Sequence, residues 1–391
     1  MSIPEGTHGV WAEINLDAFA DNLKEIRRLT GPETDICAVV KADAYGHGSV
    51  MCTKELIAMG VTRLAVANIS EGIELRCAEV SVPILIMSYT PLDRANDLIQ
   101  HNLTPTVLSW QQAKVLSDAA QKQNRIVPIH IKINTGMNRL GFMPTEESAS
   151  EIAKISDLPG LYLEGIFSHL ALFFTPDNRF SIKQAGLLKQ FVHSLQEKGL
   201  SVPLVHLSNS AGLLDLEGDF FDMVRPGSAL YGLPPRAALT KEQMNIRPVM
   251  SIKTVISTVR EINPGEGVSY GHTFVADKST KVAAVPMGYA DGITKIASGK
   301  TYALVRGKKV LQIGMICMDQ CLLDVSEVEE VHPGDEVIFV GSDGQQEITV
   351  DDRANLLGTG NCEVVCSVAR RVPRVYYRNG EIVHVENYLL R

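Results

Sequence analysis

The stretch Cys37-Ala38-Val39-Val40-Lys41-Ala42-Asp43-Ala44-Tyr45-Gly46-His47-Gly48 decides how the chain reads. Its continuous apolar, β-branched start is the pattern of a strand buried on both faces of a parallel sheet, so residues 37–40 predict such a strand. Lys41 then stands at the strand's carboxyl end. A tyrosine and two glycines follow within seven residues, so the chain can bend closely around a bound group while a phenol and an imidazole enter the same small volume. A lysine so placed can form an imine with a carbonyl cofactor or substrate. The plainer alternative is a surface lysine whose stem lies along apolar surface.

Outward from this stretch, residues 36–225 alternate short apolar runs with longer amphipathic segments, the sign of repeated βα units and a parallel sheet. Strands are expected at 37–40, 64–67, 84–87, 105–108, 129–133, 163–167, 204–207 and 221–224. Helices are expected at 49–59, 70–78, 110–121, 146–156 and 181–198, each with apolar residues at helical spacing. Eight such units predict a closed (β/α)8 barrel, a TIM-type α/β fold, rather than an open sheet.

Active sites in such barrels are built at the carboxyl ends of the strands. Lys41 follows the first strand, Ser88-Tyr89 the third, Asn134-Thr135-Gly136 with Arg139 the fifth and Ser168-His169 the sixth. Ser208-Asn209-Ser210 follows the seventh and Arg225-Pro226-Gly227-Ser228 the eighth. A random distribution would scatter these polar groups to both ends, so their recurrence at one rim points to a site.

The pattern changes near Pro234-Pro235, and from about Met250 the text is β-rich, with turn signals at Asn263-Pro264-Gly265, Arg306-Gly307 and Pro333-Gly334-Asp335. We expect a barrel domain over 14–245 and a second, mostly β domain over 246–391, joined by residues 1–13.

Net charge is −8 and the sequence pI is near 5.7, which argues against a nucleic-acid footprint. No run approaches the ~18 apolar residues needed to span a membrane. The opening Met1-Ser2-Ile3-Pro4 lacks a basic region and apolar core, so a cytoplasmic location is expected. Seven cysteines read as reduced thiols. Cys317 with Cys321 and Cys362 with Cys366 form two C-x3-C pairs that could in principle hold zinc, but both lie in apolar, strand-like text, and buried thiols with no metal are the expectation.

If Lys41 carries an imine, the cofactor that most often needs such a lysine is pyridoxal phosphate, which makes further demands. Its phosphate wants neutral donors and backbone N–H groups, which Ser210 and the Gly227-Ser228 turn can supply where barrels often bind phosphate, with Tyr45 adding a phenol. Its ring nitrogen wants a partner, and Arg225 is the candidate. An arginine cannot accept a proton, so the nitrogen facing it stays unprotonated, which weakens the ring as an electron sink and suppresses side reactions. The alternative for Arg225 is a surface ion pair.

These residues resemble the alanine racemase family, pyridoxal-phosphate enzymes with a barrel domain followed by a β domain. The resemblance spans nearly the whole chain. It rests on residues 40–48, Asn134-Thr135-Gly136-Met137 with Arg139-Leu140-Gly141, and Val224-Arg225-Pro226-Gly227 with Leu230-Tyr231-Gly232. It continues through Val268-Ser269-Tyr270-Gly271, Gly288-Tyr289-Ala290-Asp291-Gly292, Ile316-Cys317-Met318-Asp319-Gln320 and Arg371-Val372-Pro373-Arg374.

The resemblance implies that Lys41 is the imine lysine and the base for one enantiomer, and that Tyr270, contributed across a homodimer interface, is the base for the other. It implies that His169 links Tyr270 to Arg225, and that Tyr45, His206, Asn209, Ser210, Gly227 and Ser228 contact the cofactor. Arg139 and the Met318 backbone N–H would hold the substrate carboxylate, Tyr289 and Arg370 would stand at the substrate entrance, and Lys132 would be a carbamate.

Several positions depart from the family pattern. Arg370 replaces a usual tyrosine, Met315 a usual arginine, and Thr294-Lys295 a usual doublet, while Ala171-Leu172-Phe173-Phe174 replaces small and acidic residues. An arginine at 370 can still bind phosphate or reach a substrate carboxylate. The activity this implies is racemisation of alanine, with serine or a broader set of amino acids as the alternative. An amino-acid decarboxylase on the same barrel is a more distant one, since its glycine-rich phosphate loop is missing from this text.

Overall fold

The computed structural model describes residues 3–172, 175, 177–236 and 239–390. The chain divides into two compact units, one of Ala20–Ala44 with Ser49–Arg247, the other of Met1–Phe19, Tyr45–Gly48 and Pro248–Arg391.

The first unit is an eight-stranded parallel barrel. Its strands are β1 (Asp35–Val39), β2 (Arg63–Val66), β3 (Ile84–Ile86), β4 (Thr104–Val107), β5 (Val127–Lys132), β6 (Leu161–Phe167), β7 (Leu204–His206) and β8 (Met223–Val224). Neighbours in sequence are neighbours in the sheet from β1 to β7, and β8 pairs with β1 in the register Asp35↔Met223 and Ile36↔Val224. The β7–β8 seam is bridged by Asp222 N–H to the Val205 carbonyl (3.1 Å) and Arg225 N–H to the Ser208 carbonyl (2.8 Å), so the barrel closes. The apolar runs explain this order. Ile36, Cys37, Ala38, Leu64, Ala65, Ile84, Ile129 and Ile131 are all at most 2% exposed, as strands covered on both faces require.

The surrounding helices follow the sequence signals. Trp110–Lys122 starts at Ser109 and Glu146–Ser156 at Thr145, each hydroxyl accepting a backbone N–H of the first turn. Ile69–Cys77 carries a full capping box between Asn68 and Glu71. The expected residues Phe173 and Phe174 lie outside the described residues.

The second unit is built on a sheet in which Val10–Asn15 pairs antiparallel with Met250–Val255 and parallel with Arg374–Arg378. Two helices interrupt its β text, Val350–Leu357 and Asn361–Cys366. Thr349 and Asp352 cap the first reciprocally and Gly358, at φ 66°, ends it. Cys362 and Cys366 therefore sit one turn apart on a helix, not on a strand as their apolar neighbours suggest.

Candidate active site

Lys41 is half-buried directly beyond β1. The backbone after it is unusual: Ala42, Asp43, Ala44 and Tyr45 all have φ between 52° and 55°, a left-handed turn without a glycine. Left-handed backbone costs about 1–2 kcal/mol per L-residue, so something must hold it. Within the barrel unit, Glu71 Oε1 accepts from the Ala42 N–H (2.8 Å) and Glu71 Oε2 from the Ala67 N–H (2.7 Å), while Asp43 Oδ1 accepts from the Ser49 N–H (2.8 Å). Lys41 is thus placed by a carboxylate of the neighbouring βα unit, on the helix that follows β2. Glu71 was not singled out from the sequence, though Asn68-x-x-Glu71 carries the capping signature that would have drawn attention to it.

Arg225, beyond β8, is 2% exposed. Its Nη1 lies 2.6 Å from His206 Nδ1, and its Nη2 donates to the Ser168 (2.8 Å) and Leu207 (3.0 Å) carbonyls and approaches His169 Nδ1 at 3.4 Å. Its Nε is a buried N–H with no acceptor among the described residues. Burial pulls this guanidinium down to about 10, so it remains cationic at neutral pH. His206 and His169 are held well below the usual histidine range, both by burial first, then His206 by the Arg225 cation and His169 by Lys132 and Arg225, and both are neutral.

His206 continues inward. Its Nε2 is 2.8 Å from His130 Nδ1, His130 Nε2 is 3.0 Å from Glu164 Oε2, and Glu164 Oε1 pairs with Arg63 Nη1 at 3.0 Å. A hydrogen-bonded line therefore crosses the barrel interior from the loop after β8 to β2. His130 and Glu164 were not expected as functional residues, because nothing in strand text shows which inward side chains meet.

Ser210 Oγ accepts from the Gly227 (3.0 Å) and Ala229 (3.1 Å) N–H groups, which joins the loops after β7 and β8, and Ser228 is buried beside them. Asn209 Oδ1 accepts from the Ala211 and Gly212 N–H groups, and its Nδ2 is 3.5 Å from His169 Nε2. Lys132, at the end of β5, is 6% exposed with Nζ 4.1 Å over the Phe167 ring. Burial and the Arg225 and Arg139 cations push its ammonium far below the ordinary lysine range. Arg139 is exposed on the loop that Asn134 folds by accepting from the Gly136 and Asn138 N–H groups.

The β unit gathers a second set. Tyr270 is 70% exposed, Met318 53% and Tyr289 40%. The Tyr289 N–H donates to the Cys317 carbonyl (3.0 Å) and the Ala290 N–H to the Met318 carbonyl (3.0 Å), while Ser269 Oγ, next to Tyr270, donates to the Met315 carbonyl (2.6 Å). Gly288 permits this approach, since a Cβ there would lie 2.4 Å from the Cys317 and Met318 carbonyl oxygens. Arg371 binds Asp291 (2.8 Å) and Asp319 (2.7 Å), tying three of the quoted motifs together. Arg370 is exposed with its guanidinium 4.7 Å over the Tyr388 ring. Tyr45 belongs to this unit, where burial raises its phenol above the usual range.

A closed barrel with its polar cluster at the carboxyl ends of the strands defines a barrel enzyme. Comparison with known proteins narrows the class. The family descriptions "Alanine racemase, N-terminal domain" and "Alanine racemase, C-terminal domain" match residues 14–235 and 249–376. The chain is 42% identical to alanine racemase 1 of Clostridium acetobutylicum over 380 residues, 97% of this chain and 98% of that one. It is 42% identical to the alanine racemase of Methanococcus maripaludis over 370 residues, 95% and 99% of the two chains. Among solved structures, the alanine racemase of Clostridium difficile 630 superposes with a TM-score of 0.94 at 39% identity, covering 98% of this chain and 99% of that one. The Bacillus anthracis alanine racemase with bound L-Ala-P gives 0.93 at 31% identity, with 99% and 100% covered. The chain belongs to the alanine racemase family, and it is an amino-acid racemase, an isomerase.

Proposed function

We propose that this chain interconverts L- and D-alanine on pyridoxal phosphate held at the barrel rim, as a cytoplasmic homodimer. The observation that carries the cofactor is Arg225: it is buried, held on three sides, and keeps one buried N–H without an acceptor among the described residues, which suits the lone pair of an unprotonated pyridine nitrogen. The phosphate fits the cluster formed by Asn209, Ser210, Gly227 and Ser228, because Ser210 Oγ accepts two backbone N–H bonds and its own hydrogen remains available to an anion. Tyr45 is a further phosphate donor in this reading.

Bound pyridoxal phosphate supplies a carbonyl to join the amino group and a conjugated ring to take up electrons from the Cα–H bond. Lys41 anchors it and moves the proton on one face of Cα, and Tyr270 of the partner subunit does so on the other. Racemisation needs a base on each face. The exposure of Tyr270, Tyr289 and Met318 together supports this, since large apolar side chains grouped at a surface mark an interaction site. Arg139 and the Met318 backbone orient the substrate carboxylate, and Tyr289 and Arg370 line the entrance. His169, neutral and within reach of Arg225, relates Tyr270 to the Arg225 cation. Lys132 is carbamylated in this reading: burial lowers its ammonium far below the ordinary lysine range, the amine that has lost its proton adds carbon dioxide and releases a second proton to solvent, and the carbamate anion so formed offsets Arg225 and Arg139.

The test supplies the purified protein with pyridoxal phosphate and pure L-alanine, and reads the cofactor's visible absorption together with D-alanine by chiral chromatography. Absorption and D-alanine are expected. Loss of carbon dioxide without D-alanine would favour a decarboxylase, and equal turnover of serine would remove the assignment to alanine.

A further inference from the structure

The helix Arg179–Glu197 buries Ala185, Leu188, Phe191, Val192 and Leu195 along one face, at the spacing of an amphipathic helix. Gln184 stands in that stripe and is fully buried. Glutamine is mostly an exposed residue, and leucine serves the helix as well and the burial better, so packing alone does not account for it. Its amide does. Oε1 accepts from the Ala171 N–H (2.9 Å), and Nε2 donates to the His169 carbonyl (2.9 Å) and to Thr135 Oγ1 (3.2 Å). These partners fix the amide's orientation, since the reverse would set oxygen against oxygen and N–H against N–H.

The bonds reach two loops of the barrel rim. The loop after β6 carries His169, and the amide grips it on both sides of Leu170, as the peptide group of a neighbouring strand would. The loop after β5 carries Arg139, and Thr135 ties it to the first loop through Ser168 Oγ (2.7 Å), whose residue offers its carbonyl to Arg225 Nη2 (2.8 Å). Phe180, one turn before Gln184 on the same helix face, closes on the second loop as well: a Cβ at Gly136 would lie 2.8 Å from its ring. The His169 ring itself has long polar contacts, 3.4 Å to Arg225 Nη2 and 3.5 Å to Asn209 Nδ2. Hydrogen bonds of that length hold a ring weakly, so the grip on its backbone decides where it stands.

We propose that Gln184 is a positioning residue for racemisation, its amide setting the His169 ring against Arg225 for the proton transfer assigned to Tyr270. This role rests on the reading in which His169 relates Tyr270 to the Arg225 cation. Removing the amide leaves a buried carbonyl and a buried N–H without partners, so the loop must shift to satisfy them. A shift of about 1 Å at a distance from the reacting atoms can cost on the order of 10²-fold in rate.

The test compares wild type, Gln184→Leu, Gln184→Glu, Leu188→Ala and Tyr270→Phe, each loaded with pyridoxal phosphate. It measures kcat/KM and the α-deuterium isotope effect from each enantiomer of alanine, and the crystal structures of the Gln184 variants. The two enantiomers have equal free energy, so kcat/KM must fall equally in both directions, and only the isotope effects tell which proton transfer has slowed. Gln184→Leu should lower kcat/KM by roughly tenfold or more, displace the His169 ring by about 1 Å, and raise the isotope effect only from the enantiomer that Tyr270→Phe picks out. Gln184→Glu, ionised, keeps the acceptor for Ala171 and loses the donor to His169; it should show the same pattern, and it decides alone if Gln184→Leu does not fold. Leu188→Ala, one turn further along the same buried face, should lower the thermal midpoint and keep wild-type isotope effects. An unmoved ring, isotope effects unchanged or raised equally from both enantiomers, or full kcat/KM in the Gln184 variants would overturn the proposal. If Tyr270→Phe changes neither isotope effect, the two-base reading fails, and Gln184 is then decided by the displaced ring together with the loss of kcat/KM.

Discussion

Arg225 Nη1 and His206 Nδ1 stand 2.6 Å apart in the barrel interior, both buried. An arginine has donors and no acceptor, so His206 Nδ1 must accept, and its proton sits on Nε2. That N–H donates to His130 Nδ1, which fixes His130 in the same tautomer and directs its Nε2–H at Glu164. One cation at the rim thereby sets the proton positions of two rings.

The first prediction concerns the far end of that line. ¹⁵N spectra at neutral pH should show His206 and His130 both neutral with the proton on Nε2. Glu164→Ala leaves a buried His130 N–H without its charged acceptor and should cost about 1.5–3 kcal/mol in urea unfolding, whereas Glu164→Gln keeps an acceptor and should cost less. Equal losses in the two variants would show that the line is not what stabilises.

Stability should fall on mild acidification. His130, His169 and His206 all have folded pKa values below the unfolded value, with burial the first cause. Below about pH 6.5 the unfolded chain takes up protons that the folded one refuses. The contribution is therefore complete above that pH and lost as pH falls toward the folded values, by up to about 1.4 kcal/mol per pH unit for each ring. Unfolding free energies measured between pH 7.5 and 5 should trace this slope, and a flat profile would contradict it.

Two substitutions test the left-handed turn after Lys41 in opposite directions. Ala42 is exposed at φ 52°, and Ala42→Gly should raise stability by about 0.5–1 kcal/mol by relieving the backbone. Gly46 has φ +81° and a Cβ there would lie 2.3 Å from the Val365 carbonyl oxygen, so Gly46→Ala should destabilise by more than 2 kcal/mol. Shifts of the thermal midpoint check both signs.

Tyr270→Phe should nearly abolish exchange of the α-hydrogen of one enantiomer with solvent deuterium, by roughly 10²-fold or more, while the cofactor's absorption persists. Unchanged exchange from both enantiomers would remove Tyr270 from catalysis.

The barrel was legible because a strand buried on both faces must be a short continuous apolar run, and each of the eight expected runs overlaps a strand. The helix Glu146–Ser156 appears where its spacing places it. Leu16–Thr30 was not anticipated, nor were the two helices after Thr349, whose short length and mixed text resemble their β surroundings. The left-handed turn could not be foreseen from Ala42-Asp43-Ala44, since alanine favours the right-handed helix, and acceptors such as Glu71 and Asp43 that hold the other hand come from tertiary structure.

What the sequence determined by itself is which residues can do chemistry and at which end of the strands they emerge, because period, burial and strand polarity are local properties. Lys41, Arg139, His169, Ser210 and Arg225 were all placed at one rim on those grounds. The tertiary structure alone decided which of them touch. Barrel closure brings Arg225 against His206, His206 against His130 and Ser210 under the Gly227 turn, contacts between strands that only the three-dimensional register creates. Burial, which is collective, then pushes the Lys132 ammonium far below the ordinary lysine range and brings Arg225 down to about 10, and no inspection of either residue's neighbours in sequence reveals those shifts.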